Sequence, residues 1–138
     1  MAYLRWSLLA LVAYSLVAPL MKVATEEIPT NVAVMISNTM LVVAAAALVI
    51  VTNDSTMEYL THPRAPYLYA AGIALAVGIL AYYKALSLGP VSVVTPIFGM
   101  FLVLSSLVGF FVLGESVTVR KGLGIVFAVI AVYLTAGY

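Results

Sequence analysis

Between Val32 and Val51 the chain reads VAVMISNTMLVVAAAALVIV, 20 residues without one charged side chain. That matches the roughly 20 apolar residues an α-helix needs to cross about 30 Å of hydrocarbon. The same ruler divides the chain into five spans, at 4–21, 32–51, 67–86, 91–113 and 120–137. The connections are short. The longest, 53–66, carries Asp54, Glu58, His62, Pro63, Arg64 and Pro66, and 87–90 hardly turns the chain.

Lipid admits only helices and closed barrels, because every backbone polar group must find an internal partner. Barrel strands read as about ten residues of alternating apolar and polar character. These runs are continuous and long. The predicted fold is therefore all-α, a polytopic integral membrane protein of five transmembrane helices forming one domain over 1–138. Composition agrees: 65% of residues are hydrophobic and 8% charged, against about 45–50% and 25% in ordinary soluble domains. The first run, with Arg5 before it and Val17–Ala18–Pro19 near its end, has some look of a secretory signal. The residues beyond it are more membrane-grade sequence and not a soluble domain, so a first span is the expectation.

Several classes of function fall away. A net charge of +1 offers no clustered basic face for nucleic acid. The absence of cysteine excludes disulfides, thiolate metal sites and a cysteine nucleophile. One histidine, His62, leaves little for a zinc or haem site. Neither a cofactor nor a metal is expected, and the chain does not read as an enzyme. Five spans put the termini on opposite sides. Arg5, Arg64, Arg120 and Lys121 then share the N-terminal side, against Lys22 and Lys84 on the other. Four against two favours a cytoplasmic N-terminus in a cell membrane and leaves dual topology open.

An ionisable group in hydrocarbon costs about 2.5–3.5 kcal/mol on insertion scales, so polar groups inside spans are candidates for function. Glu26, Glu27, Asp54, Glu58 and Glu115 all fall in loops or at span ends, so no span offers a carboxylate for a proton relay. Lys84 lies 17 residues after Tyr67, about 26 Å along a helix and close to the hydrocarbon edge. It suits a snorkelling lysine, or a cation at the mouth of a cavity that attracts an anionic substrate group. Tyr82 and Tyr83 serve either a membrane interface or the wall of a small-molecule pocket. Neighbours on a helix face different ways, so one is free for each role.

Tyr14 lies mid-span in the first helix, and Asn38 is the most polar group well inside any span. Its amide needs a partner on another helix, a bound molecule or water, so it is either interhelical glue or pathway lining. Ala70, Ala74 and Gly78, and likewise Gly124 and Ala128, recur at the four-residue spacing that lets helix backbones approach. Pro96 cannot donate to the Ser92 carbonyl, which predicts a kink or loosening in the fourth helix, with Thr95 and Ser92 hydroxyls near the freed groups. That is either a gate or a static kink.

The stretch YYKALSLGPVSVVTPIFGMFLVLSSLVGFFVLGESVTVRKGLGIVFAVIAVYL resembles the C-terminal part of an EamA-type unit of the drug/metabolite transporter superfamily. The features are an aromatic end to the third helix, a very short turn, a proline-containing fourth helix, LGE at 113–115 and a basic pair before the last helix. The resemblance implies one five-helix unit of a fold that commonly uses two in opposite orientation around a central path, hence an antiparallel homodimer. LVAYSLVAPLMK is also similar to the first helix of small multidrug resistance exporters, where Tyr14 stands in place of a functional glutamate. Glu115, the glutamate of LGE, is expected to be structural, capping the following segment or pairing with Arg120 or Lys121.

The resulting expectation is a transporter of small metabolites or amphipathic compounds by alternating access, in contact with membrane lipid and a small-molecule substrate. The candidate pathway residues are Tyr14, Asn38, Tyr82, Tyr83, Lys84, Thr95 and Pro96. A flippase for a lipid-linked substrate and a non-transporting subunit of a membrane complex are the alternatives.

Overall fold

The computed structural model describes residues 2–136. Gly137, the predicted last residue of the fifth span, lies outside the described residues, as do the two ends of the predicted 1–138 domain. All regular structure among the described residues is helical: α1 Ala2–Glu27, α2 Thr30–Thr52, α3 Thr56–Leu60, α4 Ala65–Leu88, α5 Val91–Gly99, α6 Phe101–Phe111 and α7 Val119–Ala136. Five of the resulting spans are long and apolar enough to cross a membrane, with α5 and α6 together forming the fourth, Val91–Phe111.

The chain falls into two compact units, the first ending at Ser87 and the second beginning at Leu88. In the first unit α1 is longer than its apolar stretch. Hydropathy stops at Met21, but LysValAlaThrGluGlu contains no helix breaker, so the helix continues to Glu27. Pro29 then ends the connection and opens α2, its carbonyl accepting from the Val32 and Ala33 amides at 2.9 and 3.1 Å. At the other end of α2, Asn53 turns left-handed (φ 56°). Its amide and that of Asp54 return to Ile50 and Val49, closing carbonyls that the helix would leave orphaned. Short α3 is tied to α4 by the Tyr69 hydroxyl, which donates to the Leu60 carbonyl at 2.6 Å.

Apart from Ala65 at the start of α4, the buried residues of this unit gather near the α1 end and the last turns of α4: Ala18, Met21, Ala33, Val34, Tyr82, Tyr83 and Leu86, the last at 0% exposure. Lys22 fastens this end. Its ammonium donates to the Leu86 carbonyl at 2.9 Å, across 64 residues of chain. A cation over the last carbonyls of a helix also meets the negative end of its dipole.

The second unit starts at Pro90, whose carbonyl receives the Val93 and Val94 amides. Its missing N–H is harmless before a helix. α5 packs against α6 and α7, and α6 against α7. The fourth span is not one uninterrupted helix. α5 stays helical through Pro96, and the break falls at Met100, whose amide bonds Ile97 three residues back. The break lies one turn beyond Pro96, next to Gly99. Gly114 (φ +69°) turns the chain after α6 in a conformation that favours glycine.

A hydrogen bond to a charged donor contributes about 1.5–3 kcal/mol. Lys22→Met is expected to lower stability of the detergent-solubilised protein by about 1–2 kcal/mol at this partly buried site. Reversible unfolding checks this, and Lys22→Arg should recover part of the loss.

Candidate functional site

Three of the tyrosines singled out from the sequence meet in the first unit. Tyr82 and Tyr83 are 8% and 6% exposed, with ring centroids 5.9 Å apart and planes at 42°. The expectation that one would face a lipid interface is not met, since both rings turn inward. The Ser37 side chain and the Tyr14 and Tyr82 phenols are electrostatic neighbours of the Tyr83 phenol, and the Ser37 hydroxyl donates to the Val34 carbonyl at 3.2 Å. Tyr14, on α1, is itself 69% exposed. One turn of α2 thus carries Ser37 to Tyr83 and places half-buried Asn38 beside it. The Asn38 amide donates to the Val34 carbonyl of its own helix at 2.9 Å, so its nitrogen is engaged locally and not by a second helix.

Lys84 follows this pair on the outer side of α4, four residues before the helix ends. It contributes to the wall of a cavity of about 590 Å³ that also takes in Glu26 and Glu27, the α1–α2 turn and Ser87. Ser87 donates to the Lys84 carbonyl at 2.8 Å, turning its hydroxyl back on the helix. Glu26 and Glu27 close α1 at its negative end, where a carboxylate is disfavoured by about 0.3–1 kcal/mol. Opposed charges around a concavity of this size suit a small polar molecule.

Thr95 and Pro96 belong to the second unit, where both are half-buried on α5. Farther along the same unit, the Glu115 amide bonds the Gly109 carbonyl at 3.1 Å. The Glu115 carboxylate lies against Gly109 so closely that a Cβ there would stand 3.3 Å from Cδ. The expected roles of Glu115, capping the next helix or pairing with a basic neighbour, fall to other groups. The Thr118 hydroxyl oxygen accepts the Lys121 amide at 3.3 Å, the bond of an N-cap residue. The Lys121 ammonium donates to the Ser116 carbonyl at 3.0 Å and sits 5.4 Å above the Phe110 ring. Glu115 instead covers the one glycine of α6, a role with no periodic signature.

Lys22 is the polar residue that sequence reasoning passes over. Placing the span end at Met21 puts it in a loop. The absence of a breaker between Met21 and Pro29 is the signal that it belongs to a helix.

A chain with five helices long and apolar enough to cross a membrane and only 8% charged residues is a multi-pass helical membrane protein. It matches the EamA-like transporter family over residues 1–137 and belongs to that family. Membership makes it a membrane transporter. An uncharacterized transporter from the cobO 3′ region of a Sinorhizobium species is 29% identical over 133 residues, covering 95% of this chain and 94% of that protein. No solved structure matches the chain.

Tyr83→Phe keeps the ring and removes the hydroxyl beside Ser37. Hydrogen bonds between membrane helices average about 0.6 kcal/mol, so a loss no larger than that is expected in reversible unfolding. Tyr83→Ala should cost several times more by emptying the space between α4 and α2.

Proposed function

We propose that the chain moves small metabolites or amphipathic compounds by alternating access, as an antiparallel homodimer in which residues 1–138 act as one domain. The observation that carries this reading is the charged cavity of about 590 Å³ bearing Lys84, Glu26 and Glu27, in a chain of a transporter family. Lys84 receives an anionic group at the mouth. Tyr82, Tyr83, Tyr14 and Asn38 do not line that cavity; in this reading they supply flat rings, hydroxyls and an amide oxygen farther along the path. Thr95 and Pro96 belong to the segment that loosens as access alternates.

Pairing follows from symmetry. Transporters are commonly built from inverted repeats with the substrate path at their junction, and two oppositely inserted copies of a five-helix unit reproduce that arrangement. Four basic residues against two leave insertion in either sense open. On α4, a Cβ added at Gly78 meets nothing within 4 Å, which leaves room for a close second backbone on the face that carries the Ala70, Ala74 and Gly78 spacing.

In proteoliposomes, flux of at least one member of a metabolite panel is expected, falling by roughly tenfold in Lys84→Ala and Asn38→Ala at equal protein content. Flux confined to lipid-linked substrates would identify a flippase, and no flux with any substrate would leave a non-transporting subunit. The chain has no cysteine, so a single cysteine added at either terminus reports topology cleanly. Labelling of each terminus from both sides is the expected result. Strictly one-sided labelling would overturn the antiparallel pair.

A further inference from the structure

Between α6 and α7 lies a second cavity, of about 350 Å³, built like an amphiphile. On α6 its wall is Leu102, Val103, Ser106 and Phe110, and on α7 Lys121, Gly124, Ile125 and Ala128. These are single helix faces, at spacings of three, four and eight residues. Both charged lining residues, Glu115 and Lys121, stand at one end, where the two spans leave hydrocarbon. From Phe110 to Leu102 the wall then runs inward about 12 Å with Ser106 as its one hydroxyl, and that hydroxyl is turned onto the Leu102 carbonyl.

The floor is open. A Cβ built on Gly124 meets nothing within 4 Å, so the small-residue spacing of α7 faces an unfilled groove and not a packed helix. The charged end is also unspent. Lys121 has three N–H donors, and one reaches Ser116. The Glu115 carboxylate is held against Gly109, and no side-chain hydrogen bond or ion pair engages it among the described residues.

We propose that this groove binds a phospholipid whose headgroup carries a primary ammonium, of the phosphatidylethanolamine type. The phosphate lies on Lys121, the ammonium donates to Glu115, and one acyl chain follows Ser106, Gly124 and Ala128 inward. Charge complementarity selects the headgroup. An anionic lipid would satisfy Lys121 and be repelled by Glu115, whereas a choline headgroup has no N–H to give the carboxylate. The site does not depend on which substrate the protein moves.

Native mass spectrometry of the purified, delipidated protein with added dioleoyl phosphatidylethanolamine, phosphatidylcholine or phosphatidylglycerol tests this. The wild type is expected to retain phosphatidylethanolamine roughly tenfold better than the other two. Glu115→Gln should bring it level with phosphatidylcholine, and Lys121→Gln should lower retention of both severalfold. Gly124→Leu and, independently, Ser106→Leu fill the groove and should remove the adducts without changing the dimer fraction. Equal retention of all three lipids by the wild type would overturn the proposal. So would adducts that survive both groove-filling variants. Loss of dimer with lipid counts unchanged in Gly124→Leu would also overturn it, by showing that a second copy covers the groove.

Discussion

In hydrocarbon an unpaired polar group has no water to fall back on, and this constraint shows in many of the polar side chains described in the spans. Ser7 bonds the Tyr3 carbonyl, Ser15 that of Val12, Thr39 that of Met35, Ser106 that of Leu102 and Thr135 that of Ala131. Asn38 does the same with Val34. Each donor is consumed on its own helix within one turn, which costs little and leaves the helix exterior uniformly apolar. The groups that reach across to another helix are correspondingly few. Lys22 on Leu86 is one of them, and it joins the last turns of α4 to α1.

This economy shapes the candidate path. A wall whose hydroxyls are already turned inward on their helices discriminates by shape and by the flat faces of aromatic rings more than by a dense hydrogen-bond code. Charge is kept for the ends. Lys84, Glu26 and Glu27 surround one concavity at the end of the first unit, and Glu115 and Lys121 stand at the end of another in the second. Both arrangements keep ionised groups near water while giving them an apolar surface to sit beside.

The five helices are legible because the bilayer imposes a length, and 32–51 and 67–86 differ from α2 and α4 by only a turn or less at each end. The first span reads short for a physical reason. Hydropathy reports where the hydrocarbon stops, whereas α1 runs on to Glu27, two residues short of Pro29. An interruption of the fourth span is legible from Pro96 and its position is not: a proline removes the bond to the carbonyl four residues before it, whereas the helix is interrupted at Met100, beside Gly99. Of the site, the residue types are visible in advance, and Tyr82 and Tyr83 sit side by side. Their neighbour Ser37, the inward turn of both α4 tyrosines and the fold of Glu115 over Gly109 depend on how helices rotate against one another. A periodicity within one helix does not contain that information.

The interruption at Met100 divides the fourth span into helices of 9 and 11 residues, about 14 and 17 Å long. Each is close to half the hydrocarbon thickness. The joint therefore sits near the bilayer midplane with lever arms of similar reach on either side. A change of angle there swings both ends of the span without unwinding a turn of either arm, so one small rotation is felt at both membrane faces.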